Sequence, residues 1–289
     1  MPHNTPLLYH FKDKHIWFDM GVLLLLFVVA SYYPVFKIVP LVACLELFSF
    51  FSFHLLARRR RLQLQGFLGG LISSTAVYLQ TLNDKKFSNI GSAELFLTLL
   101  LALCAMLLEC LFILFFLADS LSFEFYLPFL SQLVYFAGII LLINLFCSST
   151  TPSKPQLDYD IDDNLLLDHP IIWWNVAKLS FYILALVALM SFMANDIGFS
   201  RDVSTLFVSF FEAHAILASV ITEWSLTPQK IDLMKLIFVI LLGNTLSKSF
   251  LVLKGSNMTK QWQMIALLFG GLAFSLVISW LWYVLAVPA

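Results

Sequence analysis

Apolar residues fill the chain in long unbroken runs, and short polar segments punctuate them. A helix needs roughly 20 residues, at about 1.5 Å rise each, to cross the hydrocarbon core of a membrane. By that measure the runs predict nine helices, at 17–36, 38–57, 64–82, 94–118, 122–148, 172–194, 203–222, 234–253 and 262–286. The first two meet around Pro34 to Pro40, as a helical hairpin or as one broken pair. A transmembrane barrel would read as alternating strands of roughly ten residues. These runs are too long and too uniformly apolar for that. The expected fold is all-α, a polytopic transmembrane bundle of about nine helices.

Composition agrees. Hydrophobic residues make up 60% of the 289 residues and charged residues 12%, about half the charge of a typical soluble domain. A soluble chain of this length could not bury so much apolar surface. The formal charge of −1 supplies no basic field for nucleic acid, so nucleic acid is excluded as a partner and the lipid bilayer is the expected one. The basic block Arg58, Arg59, Arg60 and Arg61 lies between two apolar runs and reads as a cytoplasmic topology anchor. Cys44, Cys104, Cys110 and Cys147 have no CxxC spacing, so neither a disulfide scaffold nor a zinc site is expected. The first apolar run lacks an A-x-A-like exit and reads as a retained helix rather than a cleaved signal.

Ser149 to Pro170 is the longest hydrophilic stretch and carries five aspartates, Asp158, Asp160, Asp162, Asp163 and Asp168. No glycine follows at the turn position and no glutamate closes a calcium loop. It reads as a solvated acidic linker, 149–171, within a single membrane domain spanning 1–289. The linker separates a first repeat within 17–148 from a second within 172–286. Sliding the sequence by 139 residues places Gly66–Leu117 over Thr205–Ser256 without a gap. Ser73 then pairs with Glu212, Thr75 with His214 and Glu109 with Lys248. Polar interruptions coincide at the same depth in both copies. The offset equals four predicted helices, so the two copies would run parallel, an arrangement known among transporters.

Glu109, Glu212, His214 and Lys248 stand deep in apolar helices, where charges are costly and face protein or water. Glu46 also lies deep, and neither it nor His54 in the same helix is assigned chemistry. Glu212 and His214 are two positions apart, on opposite sides of a regular helix. Either they serve separate neighbours, or local unwinding brings them together. The absence of proline in that helix favours the first. Asn244 and Lys248 share a face, and Lys248 could neutralise Glu212 or Glu109. Burial disfavours the charged form of a lone carboxylate or a lone lysine, and pairing avoids much of both penalties. Gly66, Gly70 and Ser74 form a small-residue stripe, flanked by Gly69, that permits close helix packing. Ser73, Ser74 and Thr75 offer hydroxyls to a ligand near mid-membrane.

The stretch GFLGGLISSTAVYLQTL, from Gly66 to Leu82, resembles the start of the DUF4010 membrane domain, often the C-terminal half of proteins in the MgtC/SapB group. EAHAI, from Glu212 to Ile216, sits where that family shows D-V-D-A-I. ILLGNTLSKSFLVLKG, from Ile240 to Gly255, is similar to its A-N-T-L-x-K-x-x-L-x-L segment. YYP at Tyr32 to Pro34 and the arginine block also fall at matching places. Glu212 and His214 depart from the family's aspartates. An N-terminal MgtC-like domain is expected to be absent. The resemblance implies a bacterial inner membrane and a link to ion homeostasis, without naming a reaction or substrate.

The sequence offers no GxSxG, no HExxH, no nucleotide-binding loop and no cofactor fingerprint. The expectation is therefore not an enzyme, with no cofactor and no assigned metal. It is a secondary transporter or permease for a small ion or polar solute, driven by an ion gradient. The alternative is a non-transporting scaffold or regulator of an ion-homeostasis system, whose intramembrane charges are structural. A homo-oligomer or a membrane partner stays open in either case.

Placing the arginine block in the cytoplasm puts the N-terminus inside and the C-terminus outside. Reporter fusions at Lys154 and at the C-terminus are both expected to report the outer side. A cytoplasmic signal at either contradicts the helix count or the orientation.

Overall fold

The computed structural model describes residues 14–32, 39–40, 43–44, 61–83, 91–117, 121–147, 201–210, 212–224, 230–255 and 260–286, with single positions at 174, 177, 181, 185, 188 and 192. The described residues are all-α. They form α1 (Lys14–Tyr32), α2 (Arg61–Asn83), α3 (Ser92–Leu117), α4 (Leu127–Cys147), α5 (Arg201–Ser209), α6 (Ala213–Trp224), α7 (Lys230–Lys254) and α8 (Gln261–Ala286), with a 3-10 turn at Phe123–Phe125. Most of the expected helices at 38–57 and 172–194, Arg58 to Arg60 of the basic block and the acidic linker lie outside the described residues, as do Glu46 and His54.

Four helices among the described residues are long and apolar enough to cross a membrane: the segments Ser92–Leu117, Leu127–Phe146, Leu233–Lys254 and Gln261–Leu285. The chain is a multi-pass membrane protein. Its expected helix at 203–222 is not continuous. It is divided into α5 and α6, with Phe210 to Glu212 between them. The expected helix at 64–82 is also interrupted, at Ser73, whose φ of −161° and ψ of 106° are extended rather than helical.

The chain divides into two compact units, one of residues 1–61 and 143–180, the other of 62–142 and 181–289. Within the first, α1 exposes Leu24, Leu25 and Val28 and buries Asp19 and Leu23. The second holds the candidate site. There the long helices fall into two classes. Burial covers 67% of the α3 span and 61% of the α7 span, against 22% for α4 and 28% for α8. The first two are therefore inner helices and the last two face outward. Val134, Leu141 and Leu145 of α4, and Leu276 and Val277 of α8, are exposed, as lipid-facing side chains should be. Trp280, Trp282 and Tyr283 gather near the end of α8, with Trp282 edge-on to Phe123 at 5.5 Å. That grouping suits an aromatic belt at the membrane interface.

Inner contacts depend on small residues. A side chain at Gly66 would come within 2.6 Å of the Thr98 carbonyl oxygen, and one at Gly70 within 2.5 Å of the Ala102 Cα. The α2 backbone thus lies directly on α3, where lipid offers no hydrophobic drive and close van der Waals contact must hold helices together. Gly243 of α7 lies likewise against the Leu206 carbonyl and Ser209 of α5. Gly69 packs on Val77, beyond the interruption in its own helix. The outer pair meets where Gly270 and Gly271 of α8 receive Tyr135 and Phe136 of α4. Ser275 also donates to the Pro128 carbonyl at 3.0 Å.

Three hydroxyls inside the long helices bond within their own turn. Thr98 donates to the Glu94 carbonyl, Ser131 to that of Leu127 and Thr245 to that of Leu241, at 2.8, 2.7 and 2.8 Å. These are the i−4 back-bonds open to Ser and Thr in a helix. At one end of α5 and α7, Asp202 and Lys235 form an exposed ion pair, a contact worth little on its own.

Gly70→Val should destabilise the protein by about 1–3 kcal/mol, because the obstructing atoms are backbone and cannot rotate away. Gly138→Ala, with nothing within 4 Å, should be neutral or slightly stabilising. Thermal unfolding in detergent checks both.

Candidate functional site

The two interruptions meet. Ser73 Oγ donates to Glu212 Oε2 at 3.3 Å. Ser73 also accepts from the Ala76 N–H at 3.3 Å, which makes it the N-cap of the second half of α2. Serine suits this position because its hydroxyl competes with the backbone ladder and can end one helical segment while starting another. Glu212 occupies the matching place before α6. Its N–H reaches the Val208 carbonyl at 3.2 Å, while Ser209 donates to the Leu206 carbonyl at 2.9 Å. Two helix N-termini therefore face the interruptions, and their partial positive charge favours the Glu212 carboxylate.

Glu212 is 5% exposed and His214 2%. The imidazole Nδ1 of His214 lies 3.1 Å from Glu212 Oε1 and 3.4 Å from Glu109 Oε2 of α3. Of the two arrangements open to these residues, this is the one that the absence of proline disfavoured. The helix is unwound without proline, and unwinding brings both side chains to one place. The contacts are electrostatic rather than aligned hydrogen bonds. Glu109 Oε2, Glu212 Oε1 and both ring nitrogens of His214 lack a hydrogen-bond partner among the described residues.

Lys248 is 1% exposed. Its ammonium donates to Thr75 Oγ1 at 2.5 Å and stands 5.6 Å above the Tyr78 ring. Of the partners open to the two glutamates, histidine and not Lys248 is the near neighbour of both. Thr75 lies in the first turn of the second half of α2, two residues after the interruption. Ser74 is buried with its hydroxyl unpartnered, and Asn244 is buried one turn before Lys248 on α7. Gly66, Gly69 and Gly70 sit in the helix contacts already described and not among these charges.

Tyr78 was not singled out by the sequence pattern, yet it is fully buried beside Lys248 and its hydroxyl has no partner. Its position three residues after Thr75, on the same helical face, was the available signal. Cys110, next to Glu109, is a buried free thiol within electrostatic range of both glutamates. Among the described residues, no group of three His, Cys, Asp or Glu side chains has an arrangement that could hold a metal ion.

A family profile described as Domain of unknown function (DUF4010) matches residues 41–255. The chain belongs to the DUF4010 family. That match covers α2 through α7 and therefore every residue of the site. No curated protein matches the chain, and no solved structure matches it. In this DUF4010 member, the motif GLISSTAVY builds the interrupted helix, and GNTLSKS delivers the lysine to it.

Ser73→Ala removes both the cap and the bond to Glu212 and should cost about 1–2 kcal/mol. Ser74→Ala deletes a hydroxyl without a partner and should be close to neutral. Chemical denaturation of both variants in detergent separates the two roles.

Proposed function

We propose that this DUF4010 protein is a secondary transporter or permease for a small ion or polar solute, with its binding site at paired helix interruptions between two structural repeats. One observation carries the reading: Glu109, Glu212, His214 and Lys248 converge in the buried interior with several polar atoms left without partners. A purely structural cluster in hydrocarbon is expected to close its hydrogen bonds, because each orphaned buried group costs about 1–3 kcal/mol. Open donors and acceptors beside broken helices are what a site for a polar solute requires. No bond is made or broken in this reading; the site binds and releases.

The contacts also support the repeat. The bond between Ser73 and Glu212 joins residues 139 apart, the offset that superposes the two halves of the sequence. The contact of Lys248 with Thr75 and that of Glu109 with His214 are images of each other under the same offset. A two-fold relation between repeats generates this pattern, and an arbitrary packing has no reason to. The interruption at Ser73 has its counterpart between α5 and α6. Inner α3 corresponds to inner α7, and outward α4 to outward α8. The close contact of Gly70 with α3 corresponds to that of Ser209 with α7, the glycine having moved to Gly243 on the other helix. The bacterial inner membrane is the proposed location, with the N-terminus inside.

The test is thermal stability of the purified protein against a panel of monovalent and divalent cations, anions, amino acids and small carboxylates. One solute should stabilise the wild type, by up to about 2.7 kcal/mol at a hundredfold excess over its Kd, and should not stabilise a folded Glu212→Gln variant. If no solute acts and Glu212→Gln is merely less stable, the charges are structural and the transporter reading fails.

A further inference from the structure

Resting on that reading, the cluster's own charges identify what the transporter couples to. Two carboxylates, Glu109 and Glu212, and one ammonium, Lys248, are enclosed with a histidine at 5% exposure or less. With both carboxylates and the ammonium charged and His214 neutral, the enclosure carries one uncompensated negative charge. An uncompensated buried charge is far more costly than a balanced set. One added proton balances the cluster.

Geometry says where that proton belongs. The Nδ1 of His214 lies between Glu212 Oε1 and Glu109 Oε2, at 3.1 and 3.4 Å. With the imidazole's own proton on Nε2, the Nδ1 lone pair would face two carboxylate oxygens; with it on Nδ1, one carboxylate accepts it and the second negative oxygen is left uncompensated beside it. One added proton, on the imidazole or on either carboxyl, makes the whole contact attractive. The proton therefore belongs to the three groups jointly, as in any strongly coupled set.

Glu109 and Cys110 come to this gap from α3, Glu212 and His214 from the interruption and α6, and Ser73 from α2. Lys248 of α7 stands nearby, itself in contact with Thr75 and Tyr78 of α2. Lys248 is held by Thr75 and stands over the Tyr78 ring, so its nitrogen is fixed in place beside the cluster. The Ser73 hydroxyl stabilises the other oxygen of Glu212. Both leave the inner oxygens of the glutamates free to share the proton.

We propose that Glu109, His214 and Glu212 together hold one exchangeable proton, and that this proton is the coupling ion of the transporter. It is taken up from water on the side to which the site opens and released on the other, with no other bond changed.

Infrared difference spectra of the full chain, with isotopically labelled histidine, follow the proton from mildly acidic to mildly alkaline conditions. One shared titration step is expected in the wild type. It should be lost in Glu109→Gln and Glu212→Gln, shifted in His214→Gln, which leaves both carboxylates in place, and kept in Gly138→Ala. Glu109→Asp, which preserves the carboxylate, covers the case in which a charge-removing variant fails to fold. It should shift the step rather than delete it. A step indifferent to all of these variants overturns the proposal. In vesicles containing the wild type and a trapped pH dye, the solutes of the same panel are added singly outside. A transported solute is expected to move the internal pH. Solute uptake without any pH change overturns the coupling and leaves the transporter reading standing. A normal titration step with no solute binding or moving overturns the coupling and the transporter reading together.

Discussion

Inside a membrane, every backbone or charged group that leaves a regular helix must find its partner within the protein. The hydrogen bond from Ser73 to Glu212 is where this protein meets that constraint. Each residue stands at the start of a helical segment that follows an interruption. The serine caps one segment, the carboxylate lies at the positive end of the other, and they bond to each other. Glu212 thereby fixes where His214 points, and His214 in turn reaches Glu109 on the inner helix α3. The interruption in α2 likewise turns Thr75 toward Lys248 on α7. The two broken helices thus bring Glu212 and His214 to the charged residues of α3 and α7.

The packing around this point is consistent with its chemistry. Helices α3 and α7 are mostly buried while α4 and α8 present apolar faces outward. Polar residues are thereby confined to the interior, and lipid meets Val, Leu and aromatic side chains. Close approach at Gly66, Gly70 and Gly243 draws the interrupted helices onto the inner ones.

Much of this was legible in the sequence because hydrocarbon is a simple solvent. Run length alone located α3, α4, α7 and α8 within a few residues, and the deep charges stood out against them. The 139-residue register paired Ser73 with Glu212 before any contact was known. The interruptions were less legible. Serine is common in membrane helices, where it usually back-bonds within a regular turn, as Ser131 does. Nothing local distinguishes Ser73 from Ser131; the partner carboxylate does, and it lies far away in the chain. The absence of proline pointed away from unwinding at Glu212, yet the helix is interrupted there and His214 lies beside Glu212. Lys248 was expected to seek a carboxylate, but its reach to Thr75 depends on a turn in α2 that periodicity does not encode.

The central claim is that two contacts related by one offset, Glu109 with His214 and Thr75 with Lys248, enclose the same site. Double-mutant cycles measure this directly, using Glu109→Gln with His214→Gln and Thr75→Val with Lys248→Met. Both cycles should give coupling of about 0.5–3 kcal/mol in unfolding free energy. Additive effects within either cycle would mean that the pair is not in contact, and the paired-interruption site would have to be abandoned.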